Sequence, residues 1–250
     1  MRALRDRAAT LGAEDMPVRT APIVSFLLLL TATGCATAPG GAARPKWAIA
    51  IHGGAGTINP NAPADRLQAY RDGMGEALTI GRDLLADGAS ALDVCEAVVR
   101  WLEDNPLFNA GRGAVFNEQG EHELDASIMD GATMQCGAVA GVRTVRHPIT
   151  LARKVMTDTR HVLLAADGAE KFADVAGVAR VENSWFDTDG RRRSLRRLLR
   201  DRQRTGSLVP TDRRHDYGTV GCVVLDGQGR LAAATRPLTM DAARSGSVPW

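Results

Sequence analysis

The stretch Asp216-Tyr-Gly-Thr-Val-Gly-Cys-Val-Val-Leu-Asp226 constrains this chain more than any other. Val220, Val223 and Val224 are β-branched, and the run closes on Asp226-Gly227-Gln228-Gly229 before a second apolar run from Leu231 to Thr235. Two short apolar runs around a Gly-rich turn predict a β-hairpin. Thr219 then stands at the head of the first strand, directly after a glycine that tolerates backbone angles other residues avoid. A Thr that opens a strand is ordinary. A Thr can also act as a nucleophile, if cleavage before it frees its own α-amino group as the base. These residues alone leave both readings open.

The rest of the chain predicts helices outside a sheet. Trp47 to Ile51 reads as a buried central strand running into His52-Gly53-Gly54-Ala55-Gly56. Those glycines do not make a dinucleotide fingerprint, because Asn59 stands where the third Gly is required. An esterase oxyanion loop is closer, but it lacks a Gly-x-Ser-x-Gly elbow. No Gly-Lys pair exists for a phosphate-binding loop, and His52 reads as a structural histidine.

Leu67, Tyr70, Met74, Leu78 and Leu85 recur at helical spacing between Asp65 and Asp87, with Gly88 as the stop. Ser90-Ala-Leu-Asp93 is a capping box for a helix ending near Asp104, with Leu92, Cys95, Val98, Val99 and Leu102 on one side. Strands follow at 123–129 and 136–144. Gly137, Ala138, Ala140 and Gly141 keep the second one thin enough for another layer to approach. Pro148 opens a helix to Met156. A strand at 161–166 and a helix at 168–176, ended by Gly177, complete the pattern. Asp125 and Asp130 have no His at ligand spacing and read as structural.

The hairpin block belongs with three others: Trp47 to Gly56, Asn105-Pro-Leu-Phe-Asn-Ala-Gly-Arg-Gly-Ala-Val-Phe116 and Glu123-Leu-Asp-Ala-Ser-Ile-Met-Asp-Gly131. Together, in this order, they closely resemble the plant-type L-asparaginase / isoaspartyl peptidase family. The resemblance implies an α+β fold, the four-layer αββα sandwich of N-terminal-nucleophile hydrolases. It implies cleavage at Gly218-Thr219 into α and β chains, with Thr219 as nucleophile and its freed amine as base. Asn109 matches the residue that positions the nucleophile. The main-chain oxygens of Leu102, Glu103, Asn105, Phe108, Ala110 and Arg112 match a loop that wraps a structural sodium ion. Hard cations suit such ligands, which need geometry rather than side-chain identity. Further implications are a small-molecule substrate (an isoaspartyl dipeptide or asparagine), no organic cofactor, and an (αβ)₂ dimer. A glycosylasparaginase-like amidase is the nearest alternative enzyme.

Composition bears on the partners. A net charge of +2 gives no case for nucleic acid. The one basic block, Arg191 to Arg204, has no interleaved aromatic for stacking and reads as a mobile, solvated linker. Residues 21–33 are the most apolar stretch, short for a membrane span and suited to the core of an export signal. Residues 1–35 are thus expected to be a signal segment whose true start is Met16. Thr33-Gly34-Cys35 resembles a lipoprotein signal that would lipidate Cys35 and anchor an exported, periplasmic protein. Residues 36–45 read as a tether. Cys95, Cys136 and Cys222 suit neither a paired framework nor a zinc site and are expected to be free thiols.

The domain is expected over 46–235, with an α part at 46–218 and the start of a β part at 219–235. Past Thr235 the family pattern stops, and 236–250 reads as a tail outside it. Pro237 stands in place of a second family threonine, and the family's substrate-binding Arg and Asp and its Thr-Gly-Thr-Gly segment find no match. The expectation is a sandwich with an incomplete second half, through truncation or a frame shift. A non-catalytic exported fragment is then the rival reading.

Overall fold

The hairpin lies inside a six-stranded sheet. A computed structural model describes residues 46–54, 62–117, 119–205 and 219–236, all within one unit spanning Arg44–Trp250. The expected signal segment, the tether, Cys35, Gly218 and the tail beyond Arg236 lie outside the described residues. The strands are β1 (Ala48–His52), β2 (Leu124–Asp130), β3 (Cys136–Val142), β4 (Leu163–Ala165), β5 (Val220–Leu225) and β6 (Leu231–Arg236). Their order is β1-β5-β6-β2-β3-β4, antiparallel except for the β3–β4 pair. The helices are α1 (Ala64–Ala86), α2 (Ala91–Asp104), α3 (Pro148–Asp158), α4 (Ala166–Val175) and α5 (Asp189–Thr205), with a 3₁₀ turn at Asn183–Phe186.

Side-chain alternation sorts the sheet into two faces. Ile51, Cys222, Ala234 and Ile128 are successive cross-strand neighbours on one row. That row packs against Cys95, Val98, Val99 and Leu102 of α2 and against α3, and forms the core. Ala50, Val223, Ala233 and Met129 make the adjacent row on the opposite face. There Val223 is 51% exposed and Leu231 52% exposed, so among the described residues no layer covers them. The architecture is α+β. Of the four layers the resemblance implies, the described residues build one helical layer and one sheet.

Short-range signals fall where expected. Asp93 N–H donates to Ser90 Oγ at 3.2 Å, capping α2. Pro148 occupies the first turn of α3, and Gly177 follows α4 at φ +64°. Gly137 does admit a close neighbour: a Cβ there would stand 2.6 Å from Met156 N and closer still to Ala152 O, both backbone atoms of α3.

Three expectations are corrected. The first strand is not central: β1 pairs only with β5 and sits at the sheet edge among the described residues, with Ile49 and Ile51 turned to the helices and Ala48, Ala50 and His52 exposed. An apolar run reports burial of a face, not position in the sheet. In α1 the buried positions are Gly73, Ala77, Gly81 and Leu85, whereas Leu78 is exposed. Small residues win there because the helix lies close: a Cβ on Gly81 would collide with Ile49 Cδ1 and stand 3.1 Å from Val98 Cγ2. The basic block is α5, a helix rather than a mobile linker. Arg and Leu are good helix formers, and Arg191, Leu195 and Leu198 recur on its half-buried side while Arg192, Arg193, Arg196, Arg197, Arg200 and Arg204 stay in water.

Candidate active site

Thr219 immediately precedes β5 and is half-buried. Continuing the alternation of Gly221 and Val223 by one step puts it on the open-face parity of the sheet. The neighbouring row on that face is His52, Gly221, Thr235 and Ser127. Gly221 has to be small, since a Cβ there would overlap the His52 ring, standing 2.8 Å from Cδ2. His52 is therefore a cover over the strand next to Thr219. His52, Gly221, Thr235 and Ser127, with Met129 and Cys136, line an open depression of about 500 Å³ beside the strand that Thr219 heads. A larger depression of about 600 Å³, lined by α1 residues and Trp101, involves no residue of the hairpin.

The hairpin is fastened at both ends. At the turn, Asp226 is buried and accepts the Gln228 and Arg230 N–H groups at 2.9 and 3.0 Å and Arg230 Nε at 2.8 Å. Burial works to raise its carboxyl, but the bonds from Ala91, Arg230 and Gln228 outweigh it and hold the group down at about 2. At the other end Thr235 Oγ1 donates to the Val220 carbonyl at 3.3 Å, and Val220 pairs with Arg236. Between them, the neighbouring Cys95 thiol and burial push the Cys222 thiol up, so it is not a competing nucleophile at neutral pH. Cys95 and Cys222 are buried, Cys136 half-buried, and all three are free.

The loop after α2 brings Asn109 to the same end. Asn109 is 6% exposed; its Oδ1 accepts Val115 N–H at 3.0 Å and its carbonyl accepts Arg236 Nη1 at 3.4 Å. Gly111 and Gly113 have φ of +48° and +98°, conformations that favour glycine. A Cβ on Gly113 would stand 2.7 Å from both Phe108 O and Pro106 O, and one on Gly111 would overlap Glu103 O. The loop thus turns neutral carbonyls toward positions where no side chain fits, a donor set suited to a hard cation. Of the six predicted ligands, Glu103 and Phe108 have oxygens on this cradle. Glu103 O also accepts Arg112 N–H at 2.7 Å, and Asn105 O accepts Phe108 N–H at 3.3 Å. Leu102 and Ala110 are in the core, and the Arg112 guanidinium lies outside, 5.9 Å over the Trp185 ring. Among the described residues no group of His, Cys, Asp and Glu side chains could hold a metal.

Beneath this loop lies a buried charge cluster. Glu103 is 0% exposed and accepts Ile149 N–H at 3.2 Å at the start of α3, where the helix end favours an anion. His147 Nδ1 lies 3.3 Å from its other oxygen. Arg236, 2% exposed, places Nε 3.9 Å from Glu103 Oε1. Burial raises the Glu103 carboxyl, against the His147 hydrogen bond and the Arg236 charge. It pulls the Arg236 guanidinium down to about 10, against Glu103 and Asp125. Desolvation exceeding attraction is the usual balance for a buried pair. Arg236 fell outside the residues singled out in the sequence. The available signal was parity: Ala232, Ala234 and Arg236 alternate onto the buried face, where a guanidinium needs an acidic partner.

A second buried histidine, His122, stacks on Phe116 at 4.2 Å and bonds Asp187 at 2.8 Å, while its Nδ1 faces Val115 O at 3.1 Å. It ties the loop to the segment before α5.

The known proteins this chain is similar to decide its lineage. The family model described as asparaginase matches residues 45–248. The chain belongs to that family. It is 46% identical over 193 residues to an isoaspartyl peptidase of Salmonella typhimurium and 43% identical over 196 residues to one of Escherichia coli. It is 42% identical over 188 residues to a human isoaspartyl peptidase/L-asparaginase. These alignments cover 75–76% of this asparaginase-family chain and 62%, 60% and 58% of the respective relatives, so it spans about three fifths of their length. The matched span passes Thr235, the last residue of the motif-by-motif reading.

Proposed function

We propose that this chain carries the nucleophile of an isoaspartyl peptidase/L-asparaginase, hydrolysing β-aspartyl amide bonds in isoaspartyl dipeptides and asparagine. The observation that carries the reading is Thr219 at the head of β5, inside the sheet of a chain with this family match. In the proposed sequence the Gly218–Thr219 peptide is cut intramolecularly, water supplying the new carboxylate and amine. The freed α-amine, with an ordinary pKa of roughly 7.7–8.0, is poised to take a proton near neutral pH. Thr219 Oγ then attacks the substrate's β-carbonyl, the amine leaves protonated, and water clears the acyl-enzyme. Asn109 positions the nucleophile, a role supported by its rigid anchoring to Val115 N–H.

The carbonyl cradle of the loop supports a structural sodium ion, held by main-chain oxygens of Leu102, Glu103, Asn105, Phe108, Ala110 and Arg112. Bound there, the ion would neutralise the converging carbonyl dipoles and stiffen the loop. An exported protein, lipid-anchored at Cys35 and assembling as an (αβ)₂ dimer, completes the proposal; the motif at 33–35 and the family match support it.

The test is mass spectrometry of the purified chain together with its Thr219→Ala variant. Two fragments meeting at 218–219 in the parent, and one intact chain in the variant, are expected. An uncut parent that releases no aspartate from a β-aspartyl dipeptide overturns the reading. A glycosylated asparagine substrate run in parallel separates the peptidase from a glycosylasparaginase-like amidase.

A further inference from the structure

Arg236 joins the end of β6 to the end of α2 and to the loop that follows it. It is the cross-strand partner of Val220, the residue directly after Thr219. Its side chain leaves β6 on the helix-covered face, in line with buried Ala232 and Ala234. There it meets the Glu103 carboxylate of α2, Nε to Oε1 at 3.9 Å, and Nη1 donates to the Asn109 carbonyl at 3.4 Å. Both charged side chains are wholly or almost wholly buried. Arg236 Nε has no hydrogen-bond partner among the described residues, so the pair acts by charge as well as by contact.

We propose that Arg236 is a positioning residue for the Thr219 centre: its buried guanidinium pairs with Glu103 and ties the end of β6 to the Asn109 loop. Glu103 is independently fixed by Ile149 N–H and His147. It is therefore a stationary anchor, and the guanidinium transmits its position to the hairpin. Arginine suits the task because its fork presents several donors in one rigid plane. Removing one member of such a pair leaves the other buried and uncompensated, whereas removing both charges is tolerated. Stability and positioning thereby separate. A neutral pair repairs the first, and only a donor aimed at Asn109 O supplies the second. The positioning role rests on the function proposed above; the pair itself does not.

The experiment uses the full chain with Arg236→Met, Arg236→Lys, Glu103→Gln and the Arg236→Met/Glu103→Gln double variant. Thermal midpoints are read in a Thr219→Ala background, so that every protein is one chain. Self-cleavage at 218–219 is timed by intact mass with Thr219 present. Arg236→Met should lower the midpoint and slow cleavage by at least about tenfold, the scale of a small misplacement. The double variant should regain most of the midpoint yet stay slow, and Arg236→Lys should recover part of the rate. Cleavage at the parent rate in Arg236→Met, or in the double variant, overturns the positioning role. A parent that never cuts dismisses the proposed function instead, and additive midpoint changes then dismiss the pair as well.

Discussion

Asp226 Oδ2 accepts the Ala91 N–H at 3.0 Å, joining residues 135 apart in the chain. Asp226 closes the turn of the β5–β6 hairpin, and Ala91 is the first residue of α2. One carboxylate thus satisfies the turn's own N–H groups and an orphan donor at a helix start. The hairpin cannot tilt without dragging the helix that leads into the Asn109 loop.

Asp226→Asn should lower unfolding stability by roughly 1.5–3 kcal/mol, the range for hydrogen bonds to a charged group. Urea denaturation at pH 7 measures it. The pH dependence has a defined sign. The carboxyl is depressed to about 2 from an ordinary value near 4, so its contribution is complete above about pH 4 and is lost as pH falls toward 2. The parent should lose stability more steeply than the variant across that window. Parallel curves would show that the charge is immaterial.

Two glycine substitutions should diverge. Gly137→Ala drives a Cβ into the α3 backbone and should cost about 1–3 kcal/mol or more. Gly75→Ala, inside α1 with no atom within 4 Å of the new Cβ, should gain about 0.5–1 kcal/mol from helix propensity. Calorimetric midpoints moving the same way for both would contradict the close α3 packing.

Asn109→Ala strips the part-buried Val115 N–H of its acceptor and should destabilise the chain by about 1–3 kcal/mol. It should also slow cleavage before Thr219. Both readouts are needed, the first in a Thr219→Ala background and the second by intact mass. Destabilisation with unchanged cleavage would leave Asn109 a purely structural residue.

Replacing sodium by choline at constant ionic strength should lower the parent's thermal midpoint, since a ligand bound only by the folded state stabilises it. Gly113→Ala places a methyl 2.7 Å from Phe108 O and Pro106 O. It should lower the midpoint in choline too, and abolish the response to sodium. A parent indifferent to the cation would remove the ion from this loop.

Much of the scaffold was legible in the sequence because its signals are short-range. Ser90 with Asp93, Pro148, Gly177 and Asp226 to Gly229 act on backbone groups within a few residues of themselves, and each element edge falls near them. The β5–β6 hairpin was legible for the same reason, as was the glycine-rich loop at 105–116. α5 was misread because like charge was weighed above the helix propensity of arginine and leucine.

Sequence by itself determined, to within a few residues, where most of the strands and helices other than α5 lie, and that Thr219 heads the hairpin, since local pattern and backbone sterics suffice for that. Only the tertiary structure decided that β1 lies at an edge, that α1 approaches through Gly73, Ala77 and Gly81, and that Glu103 and Arg236 meet in the interior. Those outcomes depend on which surfaces come together from segments apart in the chain, from a few tens of residues for α1 to more than a hundred for Glu103 and Arg236. A buried charge is tolerable only beside a partner that the chain brings to it from elsewhere.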